Sequence, residues 1–527
     1  MCYNADNTVK NLKGAIIMKK LYVNIDINSV VTPFLNRTAE KKDYKTEDLY
    51  GFVDQYLKTN TTDLLFDIFC QYSATDTEFW DSYADKYEQT VENGHAVDYK
   101  DRYEGIYTLN KKYNTDPYKV WIDRCNEVGL GSWISIRMND CHRNGNDAPM
   151  FLYSNFLYEA EKNGWTLGDE YGRYYGRSYN FAVKEVREKY LGYIKEQLSR
   201  YNVSGIELDY MREPMCVKYA TDDKKECIET MNIFMREAKK IVEECEKIHG
   251  HRIKVAVRVP RDYEQSLYYG FDVVQWNKEG LVDVVIPTPR FASSDNGIPV
   301  SEWKSLIPEA ELAPGIETLV VTVPDRSGFM SAATVRGNFA SFLAQGADSL
   351  YTFNYFMDPA DSVGAGTNLE AHSYSRSIDV LTTCECSYEN ILKYPTRFAV
   401  IWQENNYFPF AHPLWKPIPA KLSDTVTELT VTTGRIPEDK KIAIVLGFED
   451  GGKDAKVLVN GKELSGFEPV ELTDLPGIGE QPEGYVPNGT KCVSCKLSHD
   501  MLTDLSQTVS FSSAEEDTLW WIEIYTY

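Results

Sequence analysis

Positive charge is scarce in this chain: 56 lysines and arginines stand against 79 aspartates and glutamates, a formal net charge of −23. A phosphate backbone needs a basic face, so this balance argues against nucleic acid as a partner, although it leaves room for a small anion met by a few local arginines. Long hydrophobic runs are missing as well. Ala15-Ile16-Ile17-Met18 is far too short for a signal segment or a membrane span, so no membrane partner and a cytoplasmic location are expected. The eleven cysteines are odd in number and scattered, which reads as free thiols rather than a disulfide framework. Cys384-x-Cys386 and Cys492-x-x-Cys495 are widely separated and sit in different kinds of segment, so a four-thiolate zinc site fails the usual spacing. No metal cluster with convincing spacing and no cofactor are expected. A Gly-rich dinucleotide loop is absent after the first strand, where Asp26-Ile-Asn-Ser occurs instead. There is no internal repeat, low-complexity tract or long linker.

What is present suits a large globular protein. The 527 residues are 43% hydrophobic and 26% charged, enough for two or three domains with a substantial core. Met18-Lys-Lys-Leu-Tyr-Val-Asn looks like a natural start, so residues 1–17 read as a disordered N-terminal extension. Apolar or alternating runs then predict eight strands: Leu21–Asn28, Asp63–Cys70, Trp133–Asn139, Gly205–Asp209, Ile253–Val259, Asp283–Pro287, Ala310–Gly315 and Ser349–Phe356. Helical patterns fall between most of them, near 47–59, 117–128, 181–201, 224–249 and 334–345. Strand and helix alternating over about 350 residues imply a parallel sheet, and eight units suggest a closed (β/α)8 TIM barrel over residues 18–390. A doubly wound open sheet is the other arrangement such a pattern allows. From residue 391 the chain changes to short β runs, among them Arg397–Trp402, Lys441–Leu446 and Leu519–Tyr525, separated by turns such as Asp450-Gly-Gly and Asn460-Gly. Residues 391–527 therefore read as a C-terminal β-sandwich that binds sugar or braces the barrel.

In such a barrel the chemistry sits at the C-terminal ends of the strands. Asp26, Asp67, Arg137, Asn139, His142, Asp209, Arg212, Arg258 and Asn354 all fall there. The third strand runs into Arg137, Asn139 and His142, and the fourth places Glu207 and Asp209 at i and i+2 with Arg212 and Glu213 just beyond. Carboxylates at barrel strand ends, with 13% aromatic residues to stack on sugar rings, point to a carbohydrate-active enzyme.

The order and spacing of the strand-one Asp, the Arg137-to-His142 pair, Arg212 and the strand-eight Asn resemble the inverting exo-sialidases of glycoside hydrolase family 156, over most of residues 20–375. The resemblance implies a catalytic pair, Asp26 and His142, with Arg137, Arg212 and Asn354 as substrate contacts. Asn139 and Asp209 join that binding set from their place at the strand ends. A sialoside carries its own carboxylate at the anomeric carbon, so a neutral imidazole can activate water where an attacking carboxylate would meet an anion. Arginines suit the substrate carboxylate because the planar guanidinium matches it. The expected substrate is a sialylated glycan or simple sialoside, released in one displacement, and a homodimer is an assembly that barrels with sandwiches often adopt.

Other readings of the same residues stay open. Arg137 is equally suited to an interior arginine satisfied by Asp26, Asp67 or Asp209, Glu207 to a buried partner of Arg258, His142 to a loop residue bonded to Asp140, and Asn354 to a strand-end cap. Cys141 reads as a small buried residue rather than a nucleophile. Two other functions fit the pattern: a hydrolase of neutral glycans with Asp209 and Glu317 or Asp67 as its carboxylates, and a non-catalytic glycan-binding barrel.

Overall fold

The computed structural model describes residues 19–27, 31–92, 103–141, 153–289, 295–317, 319–323, 326–355, 381–400, 410, 417–471 and 489–527. Eight parallel strands form the barrel: β1 (Leu21–Ile25), β2 (Asp63–Cys70), β3 (Gly131–Arg137), β4 (Gly205–Asp209), β5 (Lys254–Pro260), β6 (Val284–Thr288), β7 (in two pieces, Glu311–Leu312 and Gly315–Glu317) and β8 (Leu350–Tyr355). Each pairs with its neighbour in chain order, and β8 returns to β1. The ring closes through β7. Its first piece pairs with β6 and its second with β8, and only Ala313 and Pro314 separate them. Proline has no N–H to give a ladder, so the strand breaks there while the chain carries the sheet across.

Helices on the outside join the strands: α1 (Thr32–Ala39), α2 (Pro117–Val128), α3 (Lys184–Arg200), α4 (Lys224–His249), α5 (Val273–Lys278), α6 (Val300–Leu306) and α7 (Ala332–Ala344). Their ends follow from local chemistry. Asp116 caps α2 by accepting from the Tyr118 and Lys119 amides, Pro117 opens the helix, and Gly129 closes it at φ 83°. Asp223 and Gly250 bracket α4 in the same way. The helical stretch expected over 47–59 is present as three short consecutive helical pieces, Thr46–Leu49, Gly51–Asp54 and Gln55–Lys58.

Side chains fill the barrel axis. Tyr22, Leu65, Trp133, Ala256, Val284, Ile286, Ala313, Tyr351 and Phe353 form a buried cluster of their own. Trp133 lies edge-on to Tyr22 and donates to Asp63 at 2.8 Å. Its ring needs Gly205 opposite, because a Cβ there would sit 2.2 Å from the indole. The barrel is thus floored by packed rings, and the open chemistry is confined to the other end.

The C-terminal region is antiparallel. One sheet contains Thr396–Val400, Ala420–Leu422, Ile442–Phe448, Lys491–Leu497 and Asp517–Thr526, and a second contains Thr427–Thr432, Ala455–Val459 and Ser506–Ser513. Three of these strands, Ala420–Leu422, Lys491–Leu497 and Ser506–Ser513, lack a strong apolar run and are not evident from the sequence. The two sheets enclose Ile444, Leu446, Val457, Val509 and Phe511, which makes this a β-sandwich. It packs against α7, whose residues are buried nearly all round. Gly337 on α7 touches the strand Thr396–Val400 so closely that a Cβ would fall 1.9 Å from the Arg397 carbonyl oxygen. Beside that contact, Arg336 donates to the Pro395 carbonyl and to Thr383.

Candidate active site

Register decides which charged groups meet. Arg137 on β3, Asp209 on β4 and Arg258 on β5 are paired side by side, and one step below them Ser135, Glu207 and Ala256 are paired in the same way. Two layers therefore face the barrel axis, an ionic one at the C-terminal mouth and a less charged one under it.

In the upper layer Arg137 is surrounded by carboxylates. It contacts Asp26 at 2.9 Å, Asp67 at 3.0 Å and Asp140 at 3.3 Å, and its side chain is about 2% exposed. Cys70 lies against the same guanidinium at 3.4 Å. Burial favours the neutral form of Arg137, but Asp67, Cys70, Asp26 and Asp140 outweigh it and hold its pKa above the ordinary value. For Asp67 burial wins over Arg137, and the neighbouring Asp26 adds to it, so its pKa lies well above the carboxylate range. Asp140 belongs to the turn after β3 and links the two arginines expected at the site: the oxygen that faces Arg137 is also 4.0 Å from Arg212 Nε. Arg212 lies 3.9 Å from Glu213 and within the field of Glu317 on β7.

Asp209 and Arg258 form a second, separate pair. Arg258 grips both oxygens of Asp209, at 2.8 and 3.1 Å, donates to Thr288 at 3.1 Å and lies 3.3 Å over the Phe353 ring. Asp209 also accepts from the Met211 and Arg212 amides, which folds the chain back after β4 and delivers Arg212 to the mouth. The partner of Arg258 is therefore Asp209, and Glu207 is not that partner. Asp209 is fully buried rather than presented at a rim.

In the lower layer Asn24 donates to Glu207 at 2.8 Å and to Ser135 at 3.2 Å, tying β1, β3 and β4 together two residues before Asp26, Arg137 and Asp209. Burial, aided by Asp209, pushes the Glu207 carboxyl up to about 7.

Of the residues singled out from sequence, Asp26 and Arg137 are in direct contact and Arg212 approaches them across Asp140. Asn139 has left the strand; its amide donates to the Tyr179 and Met215 carbonyls and accepts from the Tyr179 N–H, pinning two loops beneath the mouth. Cys141 is buried beside Ser178. His142 and the side chain of Asn354 lie outside the described residues, although the backbone of Asn354 is part of β8. Glu213, expected with Arg212 just past the fourth strand, is at the mouth, and Asp140 joins it from a turn where strand periodicity says nothing. Among the described residues no group of three or more His, Cys, Asp or Glu side chains is arranged to hold a metal ion.

No family model matches the sequence, and no curated protein matches it. Among solved structures, α-L-fucosidase isoenzyme 2 from Paenibacillus thiaminolyticus is similar at a TM-score of 0.40 and 11% identity, covering 65% of this chain and 47% of that one. The chain thus spans less than half of that protein's length. The α-L-fucosidase from Vibrio sp. strain EJY3 is similar at a TM-score of 0.39 and 8% identity, covering 96% of each chain. The glycoside hydrolase domain of PgaB from Bordetella bronchiseptica is similar at a TM-score of 0.37 and 8% identity, covering 69% of this chain and 99% of that one.

Proposed function

We propose that this protein is a glycoside hydrolase and, within that class, an exo-sialidase that releases a terminal sialic acid by single displacement. The observation that carries this reading is the contact of Asp26 with Arg137 at 2.9 Å, at the C-terminal mouth of an eight-stranded barrel. Asp26 faces a guanidinium there and is suited to orienting a base and stabilising its charged form, as an Asp does behind a catalytic His. His142 follows the described turn directly after Cys141 and is the base in this proposal: it takes a proton from water, whose oxygen bonds to the anomeric carbon as the bond to the aglycone oxygen breaks; the aglycone leaves and takes up a proton, and inversion results. Arg137 is already shared by three carboxylates, so its role shifts from clamping substrate to holding Asp26. Arg212, with Asn354 as the strand-eight partner, is then the group that meets the sugar carboxylate.

A second reading, hydrolysis of a neutral glycan, is favoured by one observation. Asp26, Asp67, Asp140, Asp209, Glu213 and Glu317 outnumber Arg137, Arg212 and Arg258 at the mouth, a balance that attracts no anion. Asp209 serves poorly in a carboxylate pair, because Arg258 and two amides already engage both of its oxygens.

Incubation with an aryl α-sialoside, followed by proton NMR, separates the readings. The first expects β-sialic acid before mutarotation, with turnover reduced by about 10²-fold or more in His142→Ala and Asp26→Ala. Release from neutral glycosides alone establishes the second. Saturable sugar binding without release from any glycoside defeats both.

A further inference from the structure

Glu207 has no place in the chemistry at the mouth, yet it is a fully buried carboxyl near the centre of the barrel. Every charged or titratable group around it is accounted for. From β1 Asn24 donates to Oε2, and from β3 Ser135 faces both that Asn24 and the carboxyl itself. Asp209, the next inward residue on its own strand, is a like charge. The nearest cation, Arg258 on β5, has its donors committed to Asp209 and Thr288. From β8 the Tyr351 phenol, also fully buried, faces the carboxyl. Among the described residues neither Glu207 Oε1 nor Tyr351 Oη has a hydrogen-bond partner.

A buried carboxylate without its own cation, beneath another carboxylate, is costly. A neutral acid removes that cost, and its Oε1–H can donate to the phenol oxygen that faces it. We propose that Glu207 works as a neutral carboxylic acid, its proton directed from Oε1 to Tyr351, and that this uncharged rung positions the Asp209–Arg258 and Asp26–Arg137 pairs above it. Glu207 is a positioning residue, acting through those pairs. Loss of the proton places an anion directly under Asp209, which competes for Arg258 and loosens the turn that carries Arg212. The effect on turnover rests on the glycosidase reading; the protonation of Glu207 does not.

The test compares wild type with Glu207→Gln, which keeps the shape and remains neutral at every pH. A proton held up to about 7 rather than released at the ordinary 4.5 contributes stability that is full below 4.5 and lost as pH rises to about 7. The ratio of the two unfolding constants, measured by urea titration, is therefore expected to move in favour of the Gln variant by up to tenfold per pH unit across that window and to level off above it. Infrared difference spectra at pH 6 are expected to show a protonated-carboxyl C=O band in wild type that the Gln variant lacks. A pH-independent stability ratio, or no such band, overturns the proposal without reference to any substrate. With an active sialoside, wild-type kcat is expected to fall as pH rises past 7 while the Gln variant shows no such fall. A falling limb that survives in Glu207→Gln overturns the positioning role even if the carboxyl is neutral. Absence of sialidase activity bears on the proposed function alone, and the stability and infrared results still decide the state of Glu207.

Discussion

Arg258 shows how a single residue joins stability to the site. Its guanidinium meets Asp209 through two hydrogen bonds, Thr288 through a third and the Phe353 face through its plane, so the geometry demands arginine and would not be met by lysine. Removing it leaves Asp209 charged and buried with only two backbone donors. Arg258→Met is expected to destabilise the protein by about 3–5 kcal/mol, read as a shift in urea midpoint at unchanged slope. The double change Asp209→Leu with Arg258→Met is expected to recover part of that loss. Recovery stays incomplete because the Met211 and Arg212 amides lose their acceptor. A double variant as unstable as the single one would show that the pair is held for its neighbours and not for its own charge balance.

At the scale of elements, α7 is where barrel and sandwich become one structure. A helix apolar on most of its surface must be covered on most of it, and the sandwich strand Thr396–Val400 supplies one side of that cover. The contact is close because Gly337 offers no side chain, and just behind it the fully buried Arg397 pairs with Glu523 in the sheet. Gly337→Ala adds a methyl that must push the Arg397 carbonyl away. The expected cost is about 1–3 kcal/mol, despite the better helix propensity of alanine, and circular dichroism on heating measures it. An unchanged or raised melting temperature would mean that the helix and the strand can part without loss. Element boundaries at the mouth carry a similar logic: β3 ends at Arg137 and the next three residues turn, which brings Asp140 back against the guanidinium it follows.

For the whole molecule, the net charge of −23 sets a long-range field that opposes an anionic substrate before any contact forms. Added salt shortens that field, with a screening length of about 10 Å at 0.1 M. If the substrate is a sialoside, its KM is expected to fall as sodium chloride is raised from low concentration, while the KM for a neutral glycoside stays level. A KM for sialoside that is flat or rises with salt would mean that the local arginines, and not the overall charge, govern capture.

How much of this was legible beforehand depended on whether the signal was periodic. Alternation and apolar runs placed all eight barrel strands and put Asp26, Arg137, Asp209 and Arg258 at their ends, because side chains on a strand change face with every residue and a buried strand must keep to that period. The same period could not say that β7 breaks at Pro314 and still closes the ring, since closure depends on which neighbours each half finds. Nor could it pair the charges. Glu207 and Asp209 share one face of one strand, and which of them takes Arg258 is settled by register across β4 and β5, which places Asp209 directly opposite. Asp140 and Glu213 reach the mouth through turns, where no repeat marks a residue as inward. Local sequence determined the elements, their order and the residue types delivered to the barrel mouth, because those follow from short-range sterics and hydrophobic patterning. Only the tertiary structure decided which carboxylate meets which arginine and which acid is left without one, because strand register and barrel closure bring together groups as far apart in sequence as Asp209 and Arg258, 49 residues, and Asp26 and Arg137, 111 residues.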